Sequence, residues 1–528
     1  MQGQRVRYKL KVLTDDQVEA IEEASFKILE KTGVRFDSLD ARKRLLKAGA
    51  VAHPTRKDVV TFPRSLVKET IKHILPYGTY CARDPKNDMK YDGETIYAHA
   101  LGGNPSIMDL GTGELRGSTV EDVEKTTRIM DALEYCHSIS NIVVATDVPP
   151  EMLVVKTQEA MMKNSSKCIS GYALNVESVD ILAKMWACVT GGLEELRKRP
   201  LLDVYGSPSS PLTYDAHAAD VIVRGAEYGI PVDLVPCPIS GGTAPITIAG
   251  GLAQQNAELL AGVVLVQTVT NKIPIQYSGR LSIMDLRTGK NVWGMPEMAL
   301  ASAATVQIAH RYRMIADVYG VTMDGNMFDM QAGIERMQGA LLPALAGADN
   351  LSGMGGAWES AASYEMLVVD NEVFADVFRA VRGFDVDADT LAVDVIDKVG
   401  HMGNFLAQQH TMKYLKKGEI RNSALYDKRT AERARKDGVR PLQEVARDTV
   451  KKILKEHTHT AGQGRGEGTL EGREGRREDS DEKRLSLFRL RTRMKQAMRV
   501  TQQPSAPQRP CSNEVNTKYF RAVATSSA

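Results

Sequence analysis

The chain has 528 residues, 43% hydrophobic and 25% charged, enough for a sizeable core in one large domain or two to three ordinary ones. Its 68 Lys and Arg against 66 Asp and Glu leave a formal charge of +2, without the basic excess of a nucleic-acid binder. Six scattered cysteines, with no C-x-x-C pair, exclude a disulfide scaffold and the usual thiolate zinc site and fit a reducing, cytoplasmic compartment.

The N-terminus lacks the apolar core of a secretory signal. Residues 1–92 read as an α-rich cap. Thr14 to Gln17 forms a capping box before VEAIEEASFKILEKTG; a second helix, LDARKRLLKAG, and the start PRSLVKETIKHIL follow, with short β-like pieces VRFD and DVVTF.

Residues 93–357 change texture, with short apolar runs alternating with amphipathic helices. The predicted strands are TIYAH (95–99), NIVVATD (141–147), KCISGYA (167–173), LLDVYG (201–206), VDLVPC (232–237), PIQYSG (274–279), MIADVYG (314–320) and NLSGMGG (350–356). Eight strand–helix units predict a parallel (β/α)8 TIM barrel, an α/β fold, with the α-rich cap before it and helices after it. Nearly every strand runs into a Gly, Pro or Ser cluster, which in a barrel gathers on the face that carries the active site. The apolar stretch from Gly250 to Val269 holds Gln254, Gln255, Asn256, Glu258 and Gln267, so it reads as a buried helix and not a membrane span. SIMDLGTGEL (106–115) recurs as SIMDLRTGKN (282–291), five units apart, which reads as two similar hairpin excursions, not a repeat.

Residues 358–456 read as a helical extension. From residue 457 to 528 the composition turns Gly-, charge- and Gln/Pro/Ser-rich, an atypical tail that reads as disordered.

The sequence has no P-loop, no early G-x-G-x-x-G and no H-E-x-x-H. Asp215-Ala216-His217 approaches a corrinoid D-x-H-x-x-G but lacks its Gly. Tyr97, Tyr172, Tyr205, Tyr277, Tyr319 and Trp358 gather at strand ends, and rings in number at one mouth suit a cationic ligand. Asp317, with Asp324 in the next loop, is the carboxylate expected to face that ligand, beside Gln331, His99 and Asn104. Asp329 is expected to cap the helix MQAGIERMQGALLPALAG.

These residues carry a resemblance. YGVTMDGNMFDMQAGIE (319–335), IMDLGTGELRGST, CPISGGTAPITIAGGLAQQNAE (237–258) and GMGGAWES (353–360) resemble the trimethylamine methyltransferase family. The likeness covers roughly residues 10 to 456. It implies a barrel enzyme that demethylates a small methylated amine and methylates the cobalt of a separate corrinoid protein. The cobalamin is then the partner's, and this chain itself holds no cofactor and no metal. IADVYGV (315–321), where the trimethylamine branch carries pyrrolysine, has only ordinary residues. That resembles the branch acting on quaternary amines such as glycine betaine. The family's T-D-S-K is Met323-Asp324-Gly325-Asn326 here, so that loop's chemistry has changed. Two other readings fit the residues: a barrel lyase or hydrolase of a small amine with Asp317 or Asp324 as general base, and an amine-binding protein without turnover. The sequence leaves open which amine is bound and the oligomeric state, although barrels of this size commonly associate with copies of themselves.

Overall fold

Eight short parallel strands form the centre of the molecule: β1 (Thr95–Ala100), β2 (Ser138–Ile139), β3 (Cys168–Ile169), β4 (Val204–Gly206), β5 (Val232–Leu234), β6 (Ile275–Tyr277), β7 (Ile315–Tyr319) and β8 (Asn350–Met354). This computed structural model describes residues 2–100, 102–357 and 361–457. The strands pair in the order β3-β2-β1-β8-β7-β6-β5-β4, so the sheet curls until its first and last members by sequence neighbour each other as β1 and β8. Among the described residues no ladder joins β3 to β4; one backbone bond, from Gly171 N to Asp203 O at 3.0 Å, spans that gap.

Seven of the strands overlap the runs predicted for them, and β2 does not. The run 141–147 lies beyond the strand, touching the neighbouring segment through one isolated bridge between Asn104 and Val143. Its residues Asn141 to Ala145 are all buried. An apolar run signals burial, and a buried loop supplies it as well as a strand does.

Helices cover the convex face. They comprise α1 (Asp15–Lys31), α2 (Leu39–Lys47) and α3 (Arg64–Lys72) before the sheet. Between the strands run α4 (Val120–Ala132), α5 (Leu153–Asn164), α6 (Val176–Thr190), α7 (Ala216–Tyr228), α8 (Ile248–Gln267), α9 (Pro296–Arg311) and α10 (Met330–Ala346). After it come α11 (Tyr364–Arg382) and α12 (Leu442–Glu456). The expected capping box of α1 is present: Gln17 N donates to Thr14 Oγ1 at 3.3 Å and Thr14 N donates to Gln17 Oε1 at 2.9 Å. The run read as a buried helix is α8, and it is buried on every side, its polar Gln254 to Asn256 and Glu258 included, because both sides are covered. One face lies toward the sheet; the other is held by α1, where Ser25 Oγ donates to Ala253 O at 2.9 Å and Asn256 Nδ2 donates to Ser25 Oγ at 3.0 Å. Among the described residues no helix is long and apolar enough to cross a membrane.

The two SIMDL copies form antiparallel hairpins, Ser106–Met108 with Leu115–Gly117 and Ser282–Asp285 with Lys290–Val292, as local excursions above β1 and β6. Between α11 and α12 the short helices Ala388–Leu391, Val393–Val399, Gln409–Lys416 and Ala431–Asp437 bury no residue. The tail beyond residue 457 lies outside the described residues.

The sheet separates two apolar regions. Val204, Val232, Leu234, Ile275, Tyr277 and Val318 point outward into the large core shared with the helices. Tyr97, Cys168 and Ile315 point inward at the N-terminal end, where a hairpin of Gly78–Tyr80 and Met89–Tyr91 inserts Tyr80 and Tyr91 among them. Beside it, His137 stacks on Phe378 at 5.7 Å, and its Nδ1 accepts from Ala98 N at 3.1 Å. Burial, then the nearby Lys167 charge, pushes this imidazole down to about 3. An unfolded histidine titrates near about 6.5, so between those values only the unfolded chain carries the proton. Stability is therefore expected to fall as pH drops from about 6.5 toward about 3. His137→Gln, which keeps an acceptor for Ala98, should flatten that slope in urea unfolding; an unchanged slope would remove His137 as its source.

Candidate active site

Along β1, β4, β5 and β7 the inward positions alternate with residues that pack outward, as the two-residue period of a strand requires. At the C-terminal ends the inward residues keep partial exposure while their neighbours are buried: His99 between Ala98 and Ala100, Tyr205 between Val204 and Gly206, Val235 between Leu234 and Pro236, and Tyr319 between Val318 and Gly320. These side chains are reached by solvent at that edge of the concave side, which we call the well.

Its floor is charged. Arg280, just beyond β6, forms an ion pair with Asp317 of β7, their side chains 6% and 3% exposed. Arg280 Nη1 also donates to Asp317 O at 2.6 Å. His99 Nε2 lies 3.1 Å from Asp317 Oδ1, and its Nδ1 lies 3.2 Å from Ser140 Oγ. With Nε2 protonated, the imidazole donates to the carboxylate and accepts from the hydroxyl. Burial alone would raise the Asp317 carboxyl, but Arg280 and then His99 outweigh it and hold it below the usual range. Two further carboxylates stand nearby. Burial pushes Asp203 up, although Ser170 Oγ at 3.3 Å and the Gly171 amide at 3.3 Å donate to it. Burial, and after it the Asp203 charge, pushes Asp233 well above the usual range; Tyr80 Oη and Gln276 Nε2, the latter at 3.0 Å, donate to it.

The wall begins at Tyr319, whose ring carries the Arg280 guanidinium 4.7 Å from its centroid and meets Trp293 edge-on at 4.8 Å. Tyr205 stands opposite Asp233 in the sheet register, and Tyr172, half-buried, follows β3. Asp324 sits one step farther out: its carboxylate accepts from the amides of Trp293 and Gly294, both at 2.7 Å, and fastens the loop after β7 to the loop after β6. Burial raises this carboxyl, against those two amide bonds. Gln331 is exposed and donates to Glu335 Oε1 at 2.7 Å on the same helix. It lines an open groove of about 360 Å³ with Met295, Met330 and Ile334, beside the well and not in it. Asp329 caps α10 as expected, accepting from Gln331 N at 2.9 Å and Ala332 N at 3.3 Å.

The sheet thus gathers His99, Asp317, Tyr205 and Tyr319 of the predicted site residues, with Tyr172 at the same edge. The others lie elsewhere. Tyr97 faces the N-terminal hairpin, its hydroxyl accepting from Lys90 N at 3.0 Å. Tyr277 points outward, and its hydroxyl donates to Asn256 Oδ1 at 3.2 Å. Asn104 is buried and donates to Ile142 O at 2.8 Å, tying two loops together. Trp358 lies outside the described residues. Sequence reasoning passed over Arg280, Asp203, Asp233 and Gln276. Among the described residues no three His, Cys, Asp or Glu side chains converge as a metal-holding group.

A parallel β/α sheet with a charged interior reached from its C-terminal edge is the arrangement in which β/α proteins build small-molecule sites. The chain belongs to the trimethylamine methyltransferase family, whose model matches residues 3–468. It is similar to a protein named trimethylamine methyltransferase MttB from Desulfitobacterium hafniense (strain DSM 10664 / DCB-2), 32% identical over 84% of this chain and 89% of that one. It is also similar to a protein named glycine betaine methyltransferase from D. hafniense (strain Y51), 31% identical over 77% of this chain and 84% of that one. Among solved structures, a crystal structure of the hydroxylamine complex of MtmB matches with a TM-score of 0.50 and 13% identity, over 84% of this chain and 88% of that one, a likeness of fold alone.

Proposed function

We propose that this chain transfers a methyl group from a small methylated amine, a quaternary one such as glycine betaine, to the cobalt of a corrinoid carried by a separate protein. The observation that carries this reading is the well: tyrosines at the rim over a floor with three carboxylates, Asp203, Asp233 and Asp317, against Arg280 and His99. Such a lining favours a compact cation over an anion. The relatives' names agree with it. A quaternary donor departs as a neutral tertiary amine when the carbon–nitrogen pair stays on nitrogen, so no acid is needed at the leaving group. The chain's own task is then to hold the cation, aim one methyl group out of the well toward the acceptor, and keep water away. In this reading the sheet is a closed (β/α)8 barrel, for which the Gly171–Asp203 bond is the supporting contact, with the cap ending at residue 92, the barrel at 357 and the extension at 456.

The test is an anaerobic assay of the full chain with cob(I)alamin and a panel of methylamines, following the cobalt spectrum. Methylation from a quaternary amine but not from trimethylamine is expected. No methylation from any amine that binds would overturn the reading and favour an amine-binding protein without turnover.

A further inference from the structure

We propose that Asp203 and Asp233 act as one carboxylate pair on the floor of the well that holds a single shared proton in the free protein and releases it when a cationic ligand binds above it. The inference rests on the amine reading only in supposing that the ligand is a cation. It assigns the ligand's counter-charge to this pair and not to Asp317.

Asp317 is already committed. Its two oxygens face Arg280 and His99, so its charge is balanced inside the protein whether or not a ligand is present. Asp203 and Asp233 are different: among the described residues neither is in an ion pair, and every hydrogen bond they accept comes from a neutral group. These donors are Ser170 and the Gly171 amide for Asp203, and Tyr80 and Gln276 for Asp233. Asp233 lies in β5 opposite Tyr205, and Asp203 immediately precedes β4, two residues before Tyr205 and so on the same side of the chain. They remain 8% and 9% exposed, which keeps them in touch with the well. Two carboxylates so placed in a poorly solvated interior cannot both ionise cheaply, and one proton between them is the low-energy state.

A second observation points to a ligand at this spot. Gln276 stands opposite Asp233 in the β5–β6 register and is 2% exposed. Its Nε2 is used by Asp233 and by Ser278 at 3.3 Å, while its Oε1 has no hydrogen-bond partner. A buried acceptor without a donor is costly unless something positive comes to it. The polarised methyl groups of a quaternary ammonium are of that kind, since they offer C–H and no N–H.

The other titratable groups facing the pair do not supply the missing charge. Tyr80 and Tyr91 from the hairpin and Cys168 from β3 are all pushed up by burial and stay neutral. Asp317 adds negative charge; Arg280 favours the charged Asp233 and His99 the charged Asp203, both less strongly than burial opposes it, and both are engaged with Asp317. A permanent cation entering the well therefore favours the fully ionised pair, and the shared proton leaves to solvent. Charge balances: one positive ligand enters and one proton departs.

Titration calorimetry of the full chain with tetramethylammonium chloride, in buffers of different ionisation enthalpy, tests this. Release of about one proton per bound cation is expected, with affinity rising as pH rises and levelling off once the pair is fully ionised. Asp203→Asn and Asp233→Asn, which keep size and shape, should each abolish the proton release and weaken binding at least about tenfold. Binding by the unaltered chain without proton release at any pH overturns the pair, whatever the variants do, and leaves methyl transfer standing. Binding with proton release in a chain that methylates from no amine overturns methyl transfer and leaves the pair standing. Equal affinity in both variants also overturns the pair.

Discussion

Asp317→Ala is expected to cost the protein about 3–5 kcal/mol of folding stability, because it leaves a guanidinium buried without its counter-charge. Arg280 is 6% exposed, and its remaining contacts are a backbone carbonyl and the face of Tyr319, neither of which replaces a carboxylate. The imidazole of His99 would lose its acceptor in the same step. Asp317→Asn keeps the shape and one acceptor oxygen but also leaves Arg280 without its counter-charge. Part of the stability loss should therefore remain, and methyl transfer from the preferred amine should fall at least about a hundredfold because the unpaired guanidinium repels a cationic ligand. Denaturant unfolding of both variants beside the cobalt assay decides the matter. An Asn variant with normal turnover would show that the Asp317 charge serves the fold and not the reaction.

The second large effect lies behind the sheet. Arg336 of α10 and Asp370 of α11 form an ion pair with both carboxylate oxygens 2.8 Å from Arg336 Nη1, at 1% and 0% side-chain exposure. Arg336 also donates to the carbonyls of Val321, at 3.3 Å, and Gly356, and Asp370 accepts from the Gly355 amide at 2.7 Å. The pair therefore ties the segments that leave β7 and β8 to the helices behind them. Arg336→Met should lose about 3–5 kcal/mol, since Asp370, already pushed up to about 6 by burial, then loses its counter-charge and must take up a proton in a dry interior. Adding Asp370→Leu should recover part of the loss; the Gly355 amide, left without an acceptor, keeps the recovery incomplete. Urea unfolding of the single and double variants measures both. A single variant within about 1 kcal/mol of the parent would show that the pair contributes little to stability.

Much of this architecture was legible in the sequence because its signals are local. Alternating strand-like and helical runs, the Thr14–Gln17 capping box, the Asp329 cap and the twin SIMDL hairpins each depend on neighbours a few residues away. What was not legible is direction. A parallel strand is buried on both faces, so its apolar residues carry no inside-out alternation to read. Tyr97 and Tyr277 look alike as tyrosines at the ends of apolar runs, yet one meets the N-terminal hairpin and the other a helix. The usable signal was the reverse one, a lone carboxylate in an otherwise apolar strand. It occurs in LLDVYG, VDLVPC and MIADVYG alike, of which the sequence reading singles out only Asp317. Arg280 lies three residues past the end of β6, and its pairing across to β7 is a tertiary fact that no local pattern carries.

The hairpin that inserts Tyr80 and Tyr91 fills one end of the well, and that has a kinetic meaning. On the function proposed above, substrate and spent amine share the C-terminal edge with the methyl acceptor. An acceptor protein seated there would hold the product in, and a large excess of it is expected to slow turnover.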